Sequence, residues 1–397
     1  MRIILISAVA SATLMAGGYA IPESSINATA LSAAYIANAH GADAAYYNPA
    51  AMVYNDDANL LEVDATYIGL SAIDFSGTTT GQFSSKEEKF LVPTFHYTSK
   101  KLGDNGARVG FSITAPAGLS KRWESAVAKA SAQEFTLQAV EFNPSIAVPL
   151  SDKVSMGVGF RVISSEGIVK STYTVSRDMK GSSVDYGYNL ALNYRPKQNV
   201  SLAATYRSKI NLSEEGNAKL FSGTNLVYNG DTSVSVPVPA ALNLAAAYTF
   251  DTGTTIEAVY QRTYWSAYKN LDFNYATSIG GLAPYFDAPK AKNWNDTNTY
   301  RLGLAQKYDR WVAMAGVAYD KTPVPTATLG YELPDSDAII ASLGGRYQID
   351  KSWNIGLAGL VDMKKNREVS QSTPTGINGT FSNTRAYLVT AGIEYRF

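Results

Sequence analysis

Very few residues of this 397-residue chain could carry out acid–base or metal chemistry. It has no cysteine and two histidines, His40 and His96, and neither histidine lies at a metal-ligand spacing from a second donor. His96 shares a predicted strand face with Val92 and Thr94, where it could pair with a serine as a lipase would require. A single histidine in a strand is more often a polar residue of the interior or the rim. The sequence therefore predicts no metal site, no cofactor and no catalytic residue.

Three arginines are candidates for binding a charged ligand. Arg161, Arg207 and Arg301 lie in predicted strands on the face opposite an apolar stripe, so each could point into an interior pocket. There a guanidinium would compensate a ligand carboxylate, because burying an unpaired charge is costly. The alternative is that these arginines are solvated or paired residues of the interior. The 34 basic and 34 acidic residues cancel without a block of like charge, so the sequence predicts no nucleic-acid partner.

The N-terminus has the three parts of a secretory signal peptide. Arg2 supplies the positive region, residues 3–15 the apolar region, and Ala16 or Ala20 the small residue before cleavage. The apolar region is shorter than the roughly 20 residues that a membrane-spanning helix needs, and no later segment is long and apolar enough to form one. We therefore expect residues 1–20 to be a signal peptide, cut after residue 16 or 20, and the mature chain to be exported.

Alternating polarity organises most of the mature chain. In VSMGVGFRV, residues 154–162, the apolar residues share one face of a strand and small or polar residues share the other. About fourteen such runs lie between Asn59 and Phe397, each about as long as a tilted strand that crosses a bilayer. They include Asn59–Phe75, Glu88–Thr98, Ala107–Ala115, Phe135–Leu150, Val184–Arg195, Thr255–Tyr264, Thr299–Tyr308, Trp311–Asp320 and Ala338–Ile349.

The connections between these runs indicate a membrane barrel. Short turns such as Thr249–Thr254 alternate with long polar connections such as Ser164–Ser183, which is typical of an outer-membrane protein. The sequence therefore predicts an all-β fold, in which residues 59–397 form a transmembrane antiparallel β-barrel of about fourteen strands in the outer membrane. Its membrane partners would be outer-membrane lipid and lipopolysaccharide. The terminal Phe397 resembles the C-terminal signature that the barrel assembly machinery recognises.

Residues 21–58 precede the first predicted strand and lack its alternation. They are rich in alanine and contain the turn Asn48-Pro49-Ala50. Proline fixes the backbone angle φ, asparagine can bond the backbone locally, and alanine permits close approach. A segment of this length can fold back into the barrel, so we expect residues 21–58 to be an N-terminal hatch that plugs the lumen.

Several stretches of the chain resemble the long-chain fatty acid transporter family of outer-membrane barrels, the FadL/TodX type. Gly17–Met52 is similar to the family's N-terminal hatch, including Asn48-Pro49-Ala50. Val236–Phe250 resembles its Pro-Ala strand opening, and Trp265–Phe273 and Tyr206–Ile210 add shorter matches. Asn293–Tyr347 is the most specific, with Asp-x-x-Pro-Val-Pro and Leu-Pro-Asp-Ser-Asp elements.

The resemblance implies passive transport without an enzyme activity. The ligand would be captured by extracellular loops, bind in a pocket above the hatch, and leave through the wall at an inward kink of the third strand. The corresponding residues here would be Ala115, Pro116, Ala117 and Gly118, because proline removes a ladder donor and glycine weakens pairing. The alternative is that Pro116 simply ends the strand at a loop.

The predicted function is passive transport of hydrophobic or amphipathic small molecules, with long-chain fatty acids as the default class. The segment Gly118–Phe135 is helix-prone, and its residues Leu119 and Trp123 are candidates for ligand contact. Whether the ligand is a fatty acid or an uncharged hydrocarbon is left open at this point. The alternative function is a structural or adhesive surface barrel whose long loops bind partners.

Overall fold

A computed structural model describes residues 17–373 and 376–397, and the described chain forms a closed antiparallel β-barrel. Fourteen strands of these residues make the wall, and each pairs with its neighbour in sequence. The ring closes because the first strand pairs with the last, from Leu60 opposite Arg396 to Leu70 opposite Ala386. The strands are β1 Leu60–Leu70, β2 Glu88–Thr98, β3 in two segments Arg108–Thr114 and Gly118–Arg122, β4 Glu134–Pro149, β5 Val154–Thr172, β6 Val175–Lys197, β7 Val200–Arg207, β8 Ala241–Thr249, β9 Thr254–Thr263, β10 Thr297–Lys307, β11 Trp311–Asp320, β12 Ala338–Gln348, β13 Trp353–Lys364 and β14 Arg385–Arg396.

The alternation of polarity in the sequence arises because successive side chains point alternately to the outside and the inside of this wall. On β14, Tyr387 and Val389 are 45% and 48% exposed, whereas Ala386 and Leu388, which alternate with them, are buried. Leu343 on β12 is 70% exposed. An apolar outer face is what a barrel in lipid requires. The all-β barrel predicted from the sequence is therefore confirmed.

Aromatic residues collect at the rim that carries the short turns. Trp353 stacks on Tyr395 at 4.3 Å between ring centroids, and Tyr395 on Phe397 at 5.3 Å. Trp311 and Tyr347 lie 4.5 Å apart on neighbouring strands. Such rings suit the boundary between lipid and water. The recognition of Phe397 by the assembly machinery, like the contact with lipopolysaccharide, stays a prediction.

Residues 17–58, called the N-terminal segment from here on, lie inside the barrel. The segment contains the α-helices Ile26–Ala30 and Ala44–Tyr47 and the 3-10 helix Pro49–Tyr54. These helices are too short to be stable alone, so packing against the wall holds them. A Cβ at Gly316 of β11 would lie 2.1 Å from the carbonyl carbon of Leu31, and this closeness explains the glycine in the wall.

The connections on the opposite rim are folded rather than extended. The hairpin Ile210–Ser222 and Asn225–Val238 pairs with the outer half of β6.

Residues Ser164–Ser183, which we predicted to be a long loop, instead belong to β5, a two-residue turn and β6. The remaining short elements are the strands Asp74–Gly77, Gly81–Ser84, Arg367–Ser370 and Asn378–Ser382 in one sheet, Asn270–Leu271 with Lys290–Ala291, Phe273–Tyr275, the helices Ala126–Ala132 and Ala283–Phe286, and the 3-10 helices Trp265–Ala267, Gly280–Leu282 and Thr326–Thr328.

The predicted helix-prone segment Gly118–Phe135 is helical over Ala126–Ala132 only. Its first five residues, Gly118–Arg122, form the second segment of β3, paired with β4 from Gly118 opposite Gln138 to Arg122 opposite Glu134. The prediction of an amphipathic helix at Leu119 was therefore wrong. Pairing with β4, a partner that local residue pattern does not reveal, decides the conformation there.

Candidate functional site

A cavity of about 750 Å³ opens among the folded connections, and we call it the outer cavity. Its walls come from the inward faces of β3, β4, β5 and β6 and from the loop after β9. They are mostly apolar, with Leu119, Phe135, Val169, Met179 and Phe273 among the lining residues. A concave, mostly apolar space with a few polar groups is the usual form of a small-molecule site.

An aromatic cluster lies on the side of the outer cavity that faces the N-terminal segment. Tyr19 packs edge-on against Trp265 at 4.8 Å and lies 5.7 Å from Trp294 and 6.3 Å from Tyr268. The Tyr19 hydroxyl donates to the carbonyl of Pro237. Burial raises the pKa of Tyr19, so its hydroxyl stays a donor. This cluster divides the outer cavity from a second space beyond it.

One buried ion pair lines the outer cavity. The ammonium of Lys292 donates to Oε1 of Glu332, and the two side chains are 8% and 17% exposed. Burial alone would raise the pKa of Glu332, but Lys292 lowers it below the ordinary value. Both side chains are therefore ionised, and the net charge of the pair is zero.

Arg177 of β6 packs on Phe273, which lines the outer cavity, and forms no ion pair among the described residues. Its guanidinium lies over the ring of Phe273 at 5.1 Å and over the ring of Phe286 at 5.6 Å. The side chain is buried, and Nε and Nη1 have no hydrogen-bond partner among the described residues. The sequence analysis missed Arg177 because it lies in the stretch that we predicted to be a loop. Its alternation with the buried Met179 was the available signal.

The second space, about 940 Å³, lies between the N-terminal segment and the wall, and we call it the inner cavity. The three arginines singled out in the sequence all line it: Arg161, Arg207 and Arg301. Arg161 donates to Oε2 of Glu141 at 3.1 and 2.9 Å, and Arg207 donates to the other oxygen of the same carboxylate. The structure thus brings the three arginines to one cavity and gives the first two a shared carboxylate.

Arg301 connects the wall to the N-terminal segment. It donates to the carbonyl of Ser32 at 2.9 Å and to Oε1 of Gln261 at 3.1 Å. Its guanidinium lies 3.8 Å from Glu23, which is buried in the N-terminal segment. Burial raises the pKa of Glu23 to about 7, although Arg301 opposes that shift.

The two other predicted ligand contacts have different surroundings. Leu119 lines the outer cavity. Trp123 is 1% exposed and donates from Nε1 to the carbonyl of Tyr331 at 2.8 Å. It packs edge-on against Phe83 at 5.7 Å, within the folded connections behind the cavity. Trp123 therefore supports these connections.

The third strand is interrupted at residues 115–117, where the N-terminal segment meets the wall. The N–H of Ile21 donates to the carbonyl of Pro116 at 3.0 Å, and the N–H of Gly118 donates to the carbonyl of Tyr19 at 2.9 Å. Ala20 and Ala117 form an isolated bridge between these bonds. The break therefore has a bonding partner in the N-terminal segment instead of a neighbouring strand.

Beside this break the ladder between β2 and β3 is open. The two strands pair from Thr98 opposite Gly110 to Phe95 opposite Ile113, and an isolated bridge between Ser85 and Trp123 is the next pairing in the described chain. On the inward side, Ile21, Phe90, Val92 and Ala115 belong to one apolar cluster. The wall thus has a gap with apolar residues leading to it. Ile21 belongs to the N-terminal segment, Phe90 and Val92 to β2, and Ala115 follows the first segment of β3.

Residues 7–397 match a family model described as outer membrane protein transport protein (OMPP1/FadL/TodX). The chain belongs to this family. The long-chain fatty acid transport protein of Escherichia coli (strain K12) is 24% identical over 368 residues, covering 78% of this chain and 79% of that protein. A putative outer membrane protein of Neisseria meningitidis serogroup B is 26% identical over 414 residues, covering 88% and 86%.

Solved structures of other proteins have the same fold. A FadL homologue from Pseudomonas aeruginosa superposes with a TM-score of 0.83 at 18% identity, covering 95% of this chain and 99% of that one. The toluene transporter TodX of P. putida superposes with a TM-score of 0.74 at 16% identity, covering 94% and 98%. Membership of the OMPP1/FadL/TodX family confirms an outer-membrane transporter of hydrophobic compounds and not an enzyme.

In this OMPP1/FadL/TodX protein the turn Asn48-Pro49-Ala50 is packed tightly against the wall. Nδ2 of Asn48 donates to the carbonyl of Ile36 at 2.8 Å and to Oδ1 of Asn193 at 2.9 Å. A Cβ at Gly157 of β5 would lie 2.5 Å from the backbone nitrogen of Ala50. These contacts are architectural, since they fix the N-terminal segment to β5 and β6.

His96 also holds the N-terminal segment of this family member. Its Nδ1 lies 3.0 Å from Oγ of Ser112 and its Nε2 lies 2.9 Å from the carbonyl oxygen of Ser24. Both ring nitrogens are therefore occupied, and Nε2 is the donor to the carbonyl. His40 is exposed, and its ring packs edge-on against Tyr35 at 5.7 Å. Among residues 17–373 and 376–397, no group of histidine and acidic side chains could hold a metal ion.

Proposed function

We propose that this protein carries long-chain fatty acids across the outer membrane, with the carboxylate bound at Arg177 and the alkyl chain in the outer cavity. The observation that carries the proposal is a buried guanidinium that packs on Phe273, a lining residue of the apolar outer cavity, with no ion-pair partner among the described residues. A carboxylate would form charge-assisted hydrogen bonds with such a group. The chain of the ligand would meet the apolar side chains of Val169 and Met179.

The charges around the outer cavity support the choice of Arg177 over Lys292. Lys292 already has Glu332 as its partner, so a ligand carboxylate would have to displace a protein carboxylate. Arg177 forms no ion pair within the described chain, and only the more distant charge of Glu332 acts on it. The volume of about 750 Å³ lies within the range of about 300–1,000 Å³ typical of small-molecule sites. An acyl chain fits that description better than a polar solute does.

For the path out of the cavity, we propose lateral exit at the interrupted third strand. The N-terminal segment would act as the hatch, because it occupies the lumen and forms one side of the inner cavity. The open ladder between β2 and β3 and the apolar cluster of Ile21, Phe90 and Ala115 support this route. A lipid-like ligand would pass through such a gap without entering bulk water.

We also propose that the hatch begins at Gly17, with signal cleavage after residue 16. The N–H of Gly17 donates to the buried carboxylate of Asp320, and Gly18 donates to Asp335 at 3.2 Å. Tyr19 belongs to the aromatic cluster between the cavities. Cleavage after residue 20 would remove all three contacts. N-terminal sequencing of the protein purified from outer membranes decides between the two sites.

The binding site is tested by Arg177→Gln in the purified protein, with oleate and oleyl alcohol as probes of equal chain length. Loss of one charge-assisted hydrogen bond should weaken oleate binding about 10-fold to 100-fold and leave the binding of oleyl alcohol nearly unchanged. Arg195→Gln is the matched control. Arg195 lies on the same strand over the ring of Tyr54 at 3.8 Å, but it contacts the N-terminal segment and not the outer cavity. Equal oleate binding by the parent and Arg177→Gln would refute this assignment.

The exit route is tested by uptake in cells that make a variant with Pro116→Val and Gly118→Val, which favour regular strand pairing. We expect the variant to bind oleate as the parent does and to pass much less of it into the cell. Correct assembly is checked by surface labelling of an extracellular loop. Normal uptake by a correctly assembled variant would contradict lateral exit at this break.

Uncharged aromatic hydrocarbons are the second candidate ligand class. The side of the outer cavity formed by Tyr19, Tyr268 and Trp294 is aromatic. Lys292, which also lines the cavity, is already neutralised by Glu332. Aromatic pairs favour ring-shaped ligands through offset or edge-on contacts. Toluene binding that equals or exceeds oleate binding, unaffected by Arg177→Gln, would favour this class.

A further inference from the structure

The gap between β2 and β3 is not caused by a shift of register. The two strands pair at Phe95 opposite Ile113, and their next pairing in the described chain is the bridge of Ser85 with Trp123. Nine residues lie between these pairings on each strand, residues 86–94 on β2 and residues 114–122 on β3. Neither strand therefore has an inserted residue relative to the other, and another cause must keep the two stretches apart.

Pro93 of β2 explains where the ladder stops. The N–H of Ser99 donates to the carbonyl of Val109 at 2.9 Å, so every second residue before Ser99 also directs its backbone groups toward β3. Position 93 is the first of these positions beyond the paired stretch, and proline has no N–H to donate there. The sequence analysis considered Pro116 and missed Pro93.

A proline alone opens only a short stretch of ladder in this barrel. Pro144 of β4 lies at a second interruption, between Phe142 opposite Val162 and Ser145 opposite Gly159. Two residues on each strand are unpaired there, and the ladder then resumes in the same register. Because the gap beside β3 is much longer, Pro93 by itself does not account for it.

The second segment of β3 has one edge toward β4 and one edge toward β2. Along the first edge, Gly118–Arg122 pairs with β4. On the second edge, the N–H of Lys86 donates to the carbonyl of Arg122 at 2.9 Å. Every second residue before Arg122 directs its backbone groups to this same edge, and these include positions 118 and 116. In a complete wall, β2 would be the partner of both positions.

Three residues of the N-terminal segment take the place of β2 on this edge. The N–H of Gly118 donates to the carbonyl of Tyr19 at 2.9 Å, and the carbonyl of Pro116 accepts from the N–H of Ile21 at 3.0 Å. The isolated bridge between residues 20 and 117 lies between these two bonds. The N-terminal segment thus uses the hydrogen-bonding groups that would otherwise join β3 to β2.

We propose that strand exchange keeps the gap open: residues 19–21 and β2 compete for one edge of β3, and Pro93 weakens β2 in this competition. Pairing with residues 19–21 satisfies backbone groups that would be costly to bury without a partner. The N-terminal segment then both occupies the lumen and props the wall open. Release of residues 19–21 should therefore close the gap. The role in transport rests on the proposed lateral exit, whereas the strand exchange itself needs no ligand.

The test uses the absence of cysteine from the chain. Leu91→Cys with Ala117→Cys places two thiols at positions that would be opposite each other in a closed ladder of the observed register. Tyr97→Cys with Phe111→Cys is the reference pair, because these positions are already paired. Dibromobimane joins closely spaced thiols, so the amount of cross-linked product measures closure of the gap. We expect efficient cross-linking of the reference pair and little of the first pair.

Pro93→Val supplies the missing N–H and favours a strand. Gain of about one hydrogen bond should raise cross-linking between positions 91 and 117 about threefold to tenfold and lower oleate uptake by cells by a similar factor. Oleate binding by the purified protein should not change. Pro144→Val is the matched control, because it adds an N–H to a wall strand at the interruption beside β5. It should change neither cross-linking nor uptake.

Ile21→Pro removes the N–H that donates to the carbonyl of Pro116. We expect it to raise cross-linking between positions 91 and 117 and to lower oleate uptake. Ile21→Ala removes the side chain but keeps the N–H, so cross-linking should stay at the level of the parent. Surface labelling of an extracellular loop checks assembly, and Pro93→Val decides alone if Ile21→Pro does not reach the outer membrane.

Unchanged cross-linking in Pro93→Val overturns the proposal. Higher oleate uptake in Ile21→Pro without a rise in cross-linking overturns it as well, because residues 19–21 would then block the exit and not hold it open. Equal cross-linking in Ile21→Ala and Ile21→Pro would assign the effect to the side chain and refute the exchange of backbone bonds.

Failure of the proposed function gives a different result. If cross-linking rises in Pro93→Val and oleate uptake stays at the level of the parent, the strand exchange is supported and lateral exit is refuted. If the parent takes up no oleate, the fatty acid assignment fails, while the cross-linking result still decides whether residues 19–21 hold the gap open.

Discussion

The inner lumen around the N-terminal segment and the outer cavity occupy the same barrel, but they are held by different forces. In the inner lumen, buried ionic and polar contacts join the segment to the wall: Glu257 accepts the N–H groups of Ile36, Ala37 and Asn38 at 2.6, 2.6 and 3.1 Å. Around the outer cavity, aromatic and aliphatic side chains dominate, with one lining ion pair.

This difference explains how one barrel can be closed and still bind a flexible ligand. Hydrogen bonds and ion pairs are directional, and a buried group that loses its partner is costly, so they fix the N-terminal segment in one position. Apolar contact is not directional, so the outer cavity can accept an acyl chain in several conformations. Variants that break one kind of contact should affect one region and spare the other.

The largest effect is expected for Arg346→Met. Arg346 donates to Oδ1 of Asn27 at 2.7 Å and to Oε1 of Glu62 at 2.6 Å, and its removal leaves a buried carboxylate unpaired. The free energy of unfolding should fall by about 3–5 kcal/mol. Urea unfolding in detergent micelles measures it. Lys292→Met breaks the more exposed pair with Glu332 and should cost clearly less; an equal cost would contradict the distinction between the two regions.

The second effect concerns pH. Burial raises the pKa of Glu23 to about 7 from an ordinary value of 4.5, so the folded protein holds this proton more tightly than the unfolded chain does. The stability contributed is complete below pH 4.5 and is lost as the pH rises through 7, by up to about 3 kcal/mol. The pKa of Glu332 is lowered instead, so the stability that Glu332 contributes is present at neutral pH and is lost on acidification.

Glu23→Gln should therefore remove the part of the stability change between pH 4.5 and 7 that comes from the inner lumen. The measurement is the urea midpoint of the parent and the variant at several pH values. Glu332→Gln serves as the comparison, because it should flatten the profile on the acidic side only. Identical profiles for the parent and Glu23→Gln would disprove the assignment.

A smaller effect is expected for Asn48→Ala in the N-terminal segment. The substitution removes two buried hydrogen bonds, to the carbonyl of Ile36 and to Asn193, and should cost about 1–3 kcal/mol. Protease sensitivity of the segment should rise, while oleate binding in the outer cavity should not change. Asn38→Ala is the control, since Asn38 contacts Glu257 through its backbone N–H. Weaker oleate binding in Asn48→Ala would mean that the two regions are coupled.

The smallest effect is expected for Met179→Trp in the outer cavity. The larger side chain occupies space that the ligand would use, so oleate binding should weaken by about tenfold, or about 1.4 kcal/mol. The free energy of unfolding should change little, because the added atoms enter an existing cavity. Isothermal titration and urea unfolding test both statements. Full oleate affinity in a folded Met179→Trp protein would exclude this part of the cavity from the binding site.

Much of the fold could be predicted because strand alternation is a local signal. The predicted run Glu88–Thr98 has the bounds of β2, and Trp311–Asp320 those of β11. Residues Ser164–Ser183 were mispredicted, since their polar sequence lacks the apolar outer face of a membrane strand. They are strands because β5 and β6 pair with each other beyond the barrel rim and β6 pairs with Ile210–Ser222.

The candidate site was predicted in part. The residue pattern pointed to Arg161, Arg207 and Arg301 as inward-facing arginines, and all three line the inner cavity. It gave no indication that Arg161 and Arg207 share Glu141, because the acid precedes them by 20 and 66 residues on another strand. Arg177 was missed for the related reason that its strand was taken for a loop.

The class of the protein was predictable from the sequence, because period-two alternation is a local property that needs no partner to be recognised. Which charged side chains meet depends on the tertiary structure. Arg346 and Glu62 are 284 residues apart and bond because β1 and β14 close the ring and bring the first and last strands together. Among the described residues, Arg177 lacks an ion-pair partner for the same reason, since folding decides which charged side chains become neighbours.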